Sequence, residues 1–313
     1  MPKKIYKIML IVTLTLLVVG FGTFLITSKN NQIEGSVKQN KQVQVTTSFY
    51  PLYYFATQIA KEKADVHNIT PAGAEPHAYE PTSRDITKIE NSQILIINGN
   101  DFEAWAKNIN TVLGKNTPTI VNISKNLADQ NLIEKDPQTR DPHFWLNPKI
   151  AQSEVKIILE NLKIVDPNNA QYYTDNANQL LIKLIELDSK FKSDLNNCQK
   201  KEIITSHAAF SYLAKEYGFN QVAISGLSPD EEPSPKKLSS IANFAKQNQV
   251  EYIFFESLVS PKLADTIAVE VGAKTLVLNP IEGITQEEIE NGKTYFTEMY
   301  NNLINLKIAL KCQ

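Results

Sequence analysis

Four histidines occur in this chain of 313 residues: His67, His77, His143 and His207. Neutral imidazole nitrogens bind borderline-soft divalent metals and exchange protons near neutral pH. Three of the four share a context. His77 lies in GAEPHAYEPT, after an expected strand; His143 in the loop RDPHFWLNP; His207 at the end of the expected strand EIITSH. In open α/β sheets, ligands gather where loops leave the carboxyl ends of strands. His77, His143 and His207 therefore read as one cluster drawn from both halves of the chain. Three imidazoles suit zinc first among the divalent metals. A site that holds its ion needs a fourth ligand, whereas a catalytic site leaves that place to water. Glu256, ending YIFFES, and Glu282, just after KTLVLNP, are the carboxylates at later strand ends. His67 lies inside the expected strand ADVHNIT and reads as structural.

The elements that must position these side chains follow from the pattern. Short apolar runs over 42–49, 64–70, 93–99 and 118–124 read as strands. Helical patterns lie between them: one opened by Pro51, one over 84–91 and one over 102–113. A helix is expected from Pro148 to Lys163. Residues 167–197 contain no glycine and have proline only at the start, while Tyr173, Leu180, Leu184 and Leu187 recur at helical spacing. Such a helix would be about 45 Å long. The alternation then restarts, with strands over 202–207, 220–227, 252–257 and 274–280 and intervening helices, ending in a helix over 292–311. Strand–helix alternation implies parallel sheets flanked by helices. The fold class is thus α/β: a lobe over 42–166, a connecting helix over 167–197 and a second lobe over 198–313. With one rigid connection, little rotation of the lobes is expected.

Residues 1–28 place three lysines before an uncharged apolar run and read as a signal peptide or an N-terminal membrane anchor. Both readings stand. The absence of a cysteine near the end of that run excludes a lipid anchor of the lipoprotein type. Residues 29–41 are polar and read as a linker. Beyond residue 29 the chain carries 34 acidic and 28 basic residues, a net charge of about −6. Nucleic-acid binding is disfavoured by that balance, and only Arg84 and Arg140 are arginines. The two cysteines, Cys198 and Cys312, exclude a cysteine-built zinc fold. In an exported chain they can form a disulfide pinning the last helix to the second lobe; free thiols or zinc ligands are the alternatives.

Six segments carry a resemblance: SFYPLYYFATQIA, PAGAEPHAYEPTSRDI, DPHFWLNP, TSHAAFSYLAKEYG, FFESLVSPKLADTIA and LNPIEGIT. Together they resemble the metal-binding solute-binding proteins of bacterial ABC importers, the zinc and manganese group also called the cluster A-I or adhesin family. The resemblance implies two α/β lobes bridged by a long helix, and an extracytoplasmic monomer that hands a divalent metal to a membrane permease. It sets His77, His143 and His207 on the first three ligand positions and Glu282 on the fourth, with Glu256 as a residue behind the ligands or in the cleft. Manganese-type members carry Glu in place of the third His and Asp as the fourth ligand, so His207 argues for Zn2+ over Mn2+. The His-rich loop of many zinc members is here short, with His143 alone. A manganese or iron carrier and a three-His zinc hydrolase are the alternatives. The second lacks an H-E-x-x-H helix and a general base beside the histidine motifs. An adhesive role has no patch in the sequence to support it.

Overall fold

In the computed structural model, residues 42–114, 117–135 and 140–313 are described. The expected signal or anchor over 1–28 and the linker over 29–41 lie outside them. Among the described residues no helix is long and apolar enough to cross a membrane.

Two four-stranded parallel sheets form the frame. The first contains β1 (Val43–Thr47), β2 (Ala64–Asn68), β3 (Ile94–Ile97) and β4 (Thr119–Asn122), in the order β2-β1-β3-β4. The second contains β5 (Glu202–Thr205), β6 (Asn220–Ala223), β7 (Tyr252–Phe255) and β8 (Lys274–Val277), in the order β6-β5-β7-β8. The two orders are the same, so each lobe reverses its winding between its first and third strands. That is where open parallel sheets bind ligands. The runs are apolar because the strands are covered on both faces; all four residues of β3 are buried.

Helices fill the connections: α1 (Tyr50–Ala60), α2 (Ser83–Asn91), α3 (Ile109–Val112) and α4 (Ile123–Asp129) in the first lobe. The second lobe carries α7 (Ser211–Tyr217), α8 (Pro235–Gln247), α9 (Lys262–Val271), α10 (Gln286–Glu290) and α11 (Tyr295–Leu310). Between the lobes run α5 (Pro148–Val165) and α6 (Ala170–Asp194). Local chemistry starts them. Pro51 and Pro148 stand in first turns, where a missing N–H costs nothing. Thr82 with Asp85 and Thr294 with Thr297 make reciprocal caps on α2 and α11.

Several segments depart from the sequence pattern; the strand expected over 220–227, for one, ends at Ala223. Residues 102–113 are not one helix but a tight turn over Ala104–Asn108 followed by the single turn of α3. The segment's buried face carries Trp105, Ile109 and Leu113. The carboxylate of Glu103, however, accepts the N–H groups of Asn98 (2.7 Å) and Gly99 (2.9 Å), which ties the start of the segment back to β3. The expected strand over 118–124 stops at Asn122, whose side chain caps α4. The expected helix over 167–197 begins with a tight turn over Pro167–Asn169 before α6. Asp166 staples that turn by accepting from Tyr173 Oη at 2.6 Å and Asn169 Nδ2 at 2.7 Å.

The largest core is continuous through both lobes. It joins Phe49, Phe55 and Trp145 of the first lobe to Tyr173, Leu180, Leu184, Leu187 and Phe191 of α6, and on to Phe210, Leu303 and Leu306 of the second. Smaller clusters cover the outer faces, around Ile89 and Leu95 in one lobe and Ile241 and Ile267 in the other. Cys198 and Cys312 are joined by a disulfide, which ties the end of α11 to the chain entering β5. Backbone bonds from Gln199 to Lys311 and from Lys200 to Leu310 run beside it.

Candidate metal centre

Three candidate ligands hang from loops that leave a strand's carboxyl end and His143 from the connection between α4 and α5, and each loop is tied down differently. His143 follows the loop after α4. Asn98, at the end of β3, donates to the carbonyl of Pro142 at 3.0 Å, and Asn100 donates to that of Asp141 at 3.3 Å. Trp145, two residues further on, donates its indole N–H across the cleft to the carbonyl of Pro280 (2.8 Å). Its own carbonyl accepts from Tyr295 Oη at 2.6 Å. The loops of His143 and Glu282 are thereby bolted together across the lobes.

Glu282 sits after a strained residue. Ile281 has φ of 58°, a left-handed conformation that a β-branched side chain rarely adopts. Its N–H donates to Asn279 Oδ1 at 2.8 Å. Asn302 of α11 grips the backbone of Asn279 with both ends of its amide, at 2.8 and 2.7 Å, and Asn279 Nδ2 donates to Glu298 at 2.9 Å. A buried polar brace from α11 holds the turn in place.

His207 lies two residues beyond β5, beside Glu256 at the end of β7. His77 is carried by the long loop between β2 and α2. Gly73 in that loop has φ of +80° and donates its N–H to the carbonyl of Ile284 in the second lobe (3.1 Å). A residue with a Cβ would be strained there.

The four side chains converge. His77, His143, His207 and Glu282 each offer one ligand atom, all within 4.8 Å of one another. Glu282 Oε1 is 3.3 Å from His77 Nε2, 3.1 Å from His143 Nε2 and 3.3 Å from His207 Nε2. The Nε2 atoms of His143 and His207 face each other at 3.3 Å. His143 and His207 are wholly buried, and Glu282 is 3% exposed. The other ring nitrogens are occupied: His143 Nδ1 lies 2.7 Å from Asp141 Oδ1, and His207 Nδ1 lies 2.7 Å from Glu256 Oε1. Carboxylates only accept, so both Nδ1 atoms carry the proton. The Nε2 lone pairs then point at one another and at a carboxylate oxygen. Such a cluster requires positive charge at its centre, as protons or as a metal ion.

The electrostatics agree. Burial alone would push the imidazole of His207 down, but Glu256 and Glu282 outweigh it and raise it to about 10. His143 is also raised, Asp141 overcoming the effect of burial. Glu282 is held well below the usual carboxylate range; burial opposes this, and the three histidines prevail.

His67 stands apart in β2, paired with Thr46 of β1. Glu256 lies beside His207 and outside the group of four. The motif reading passed over three contributors. Asp141 is one, although the D-P-H spacing places a carboxylate two residues before an imidazole. Phe102, whose ring centroid lies 4.5 Å from that of His77, and Trp145, 5.2 Å from His143, wall the cluster on its inner side.

Residues 45–309 match the family model described as zinc-uptake complex component A, periplasmic (ZnuA). The chain belongs to this family. Its members are extracytoplasmic solute-binding components of metal uptake, not enzymes. The chain is similar to the high-affinity zinc uptake system protein ZnuA of Bacillus subtilis, at 40% identity over 90% of this chain and 92% of that protein. It is 34% identical to the zinc-binding protein AdcA of Streptococcus pyogenes over 99% of its own length, but spans only 62% of that longer protein. Among solved structures it resembles the Zn(II)-bound ZnuA-like domain of Streptococcus pneumoniae AdcA. The TM-score is 0.75 at 36% identity, covering 86% of this chain and 99% of that domain.

Proposed function

We propose that this chain captures Zn2+ in the cleft between its lobes, through His77, His143, His207 and Glu282, and passes it to the membrane permease of an ABC importer. The observation that carries the reading is the convergence of three Nε2 atoms on one carboxylate oxygen at 3.1–3.3 Å. Tetrahedral zinc holds nitrogen and oxygen ligands at about 2.0–2.1 Å, so neighbouring ligand atoms stand roughly 3.3 Å apart. Three imidazoles favour zinc over manganese, which prefers oxygen donors. The zinc named for the relatives supports the same choice. Glu282 fills the place a zinc hydrolase would leave to water, which weighs against hydrolysis. We take the carrier to act as a monomer, its lobes being 42–166 and 198–313 with 167–197 between them.

Elemental analysis of protein purified without chelators tests the reading, followed by competition between zinc and manganese. Zinc should co-purify near one equivalent and displace manganese. His77→Ala, His143→Ala and His207→Ala should each weaken zinc binding strongly, and His67→Ala should not. Equal loss in the His67 variant would overturn the ligand set.

A further inference from the structure

The two lobes contribute matched pairs behind the candidate ligands. In the first, Asp141 Oδ1 accepts both the ring Nδ1–H of His143 (2.7 Å) and its backbone N–H (2.8 Å). In the second, Glu256 Oε1 accepts the ring Nδ1–H of His207 (2.7 Å) and its backbone N–H (3.2 Å). One oxygen thus grips each histidine at two points and fixes both its tautomer and its ring orientation. Asp141 does more: its second oxygen accepts the hydroxyl of Ser211, the first residue of α7 in the other lobe. Among the described residues no carboxylate accepts from the second ring nitrogen of His77. The neighbouring Glu75 accepts instead from the backbone N–H groups of His77 (3.2 Å) and Ala78 (3.1 Å). At 10% side-chain exposure, the His77 ring is also less enclosed than those of His143 and His207.

We propose that Asp141 and Glu256 are positioning residues that hold His143 and His207 as a prebuilt pair of Nε2 donors, one from each lobe, and leave His77 as the adjustable ligand. This rests on the zinc-capture reading above. A neutral histidine protonated at Nε2 cannot donate that nitrogen to a metal. The carboxylates remove that tautomer and spare the site the cost of ordering two rings when zinc arrives. A carboxylate on the far nitrogen also makes the imidazole a stronger donor. Because Asp141 reaches Ser211, the aim of His143 depends on the register of the two lobes.

The test uses the full chain and the variants Asp141→Asn, Glu256→Gln and Ser211→Ala. Melting of the metal-free forms is checked first. Competition against a zinc chelator should show zinc affinity lowered about 10- to 100-fold in each of the first two variants. Ser211→Ala keeps the carboxylate and changes an exposed residue at the start of α7; a smaller, reproducible weakening is expected. Two readouts separate positioning from general destabilisation. The visible absorption of the cobalt(II)-substituted protein should change shape in both carboxylate variants. In the zinc-loaded wild type, two imidazole N–H protons should resonate downfield of the amides, and each variant should lose one. Wild-type affinity in either carboxylate variant, with its downfield proton retained, overturns the assignment for that residue. A wild type that binds zinc no better than His207→Ala sinks the capture reading itself, whereas tight wild-type binding with unaffected variants sinks the positioning pair alone.

Discussion

At His207 a proton and a metal ion compete for the same nitrogen. Its imidazole is raised to about 10, so in the metal-free protein it is protonated throughout the neutral range. Zinc must expel that proton. Affinity should therefore climb by about tenfold per pH unit, and continue to do so well above pH 7. An ordinary imidazole would level off near its usual value of about 6.5. Titrations between pH 6 and 9 decide this, and a plateau above pH 7.5 refutes it. The same shift supports the metal-free fold: a raised folded-state value gives stability that is complete below about pH 6.5 and is lost as pH rises through about 10. Glu154 also makes the fold less stable as pH rises, but here the cause is an unpaired buried carboxyl. It lies on the buried face of α5, no group among the described residues hydrogen-bonds either oxygen, and burial pushes it up to about 8. Unfolding releases its proton above about pH 4.5, so stability falls from there to pH 8. The loss is on the order of 5 kcal/mol relative to an exposed glutamate. Glu154→Gln should raise Tm by several degrees at pH 8 and by less at pH 5. An equal gain at both pH values would show that charge burial is not the cause.

Among the elements, α11 carries two separate duties at its two ends. Near its start, Glu298 and Asn302 brace the turn before Glu282; at its far end, Cys312 is bonded to Cys198. The disulfide closes a loop spanning 114 residues and lies at the end of the lobe opposite the ligands. Replacing both cysteines with serine should cost about 2–5 kcal/mol of stability while leaving zinc affinity within about threefold. Asn302→Ala should instead weaken zinc binding, because it strips partners from Asn279 and loosens the strained Ile281. If the serine variant loses zinc as strongly as the Asn302 variant, the division of labour is wrong. The elements were largely legible in the sequence, since buried parallel strands read as apolar runs and α6 buries a stripe from Tyr173 to Phe191 at helical spacing. The ligands were legible because histidine is scarce here and three of its four copies end up beside strand ends. The left-handed Ile281 left no trace, since nothing in L-N-P-I-E-G announces a positive φ. The helical pattern over 102–113 misled because the hold of Glu103 on Asn98 and Gly99 is a tertiary contact. Asp141 was hidden among many acidic residues; only the fold shows which imidazole it serves.

For the molecule as a whole, the continuous core matters more than the single connecting helix. α6 packs against α5, α1 and α11, so it is embedded in both lobes and does not stand free as a strut. Asn176 on it donates to the carbonyl of Ile59 at the end of α1 (3.0 Å). Rotating one lobe against the other would open apolar surface around Trp145, Tyr295 and Phe210, at roughly 25 cal/mol per Å² exposed. Zinc loading should therefore leave the overall dimensions nearly unchanged. Small-angle scattering of metal-free and zinc-loaded protein should superimpose, with altered hydrogen exchange concentrated in the loop of His77. A clear compaction, of the size that hinge-closing proteins show, would sink this account.

Trp145 has one further consequence, which is optical. It is one of two tryptophans in the chain, and its ring lies 5.2 Å from His143. The other, Trp105, is packed in the outer cluster of the first lobe, among Leu95, Ile109 and Leu113. A protonated imidazole beside an indole quenches its emission. Zinc, with a filled d shell, replaces the proton without quenching of its own, whereas a paramagnetic ion such as manganese(II) would keep the indole dim. Ultraviolet-excited emission should thus brighten as zinc is added. The response should vanish in Trp145→Phe and survive in Trp105→Phe. The side chain that fastens the two lobes together would then also report, unlabelled and in real time, which metal has arrived between them.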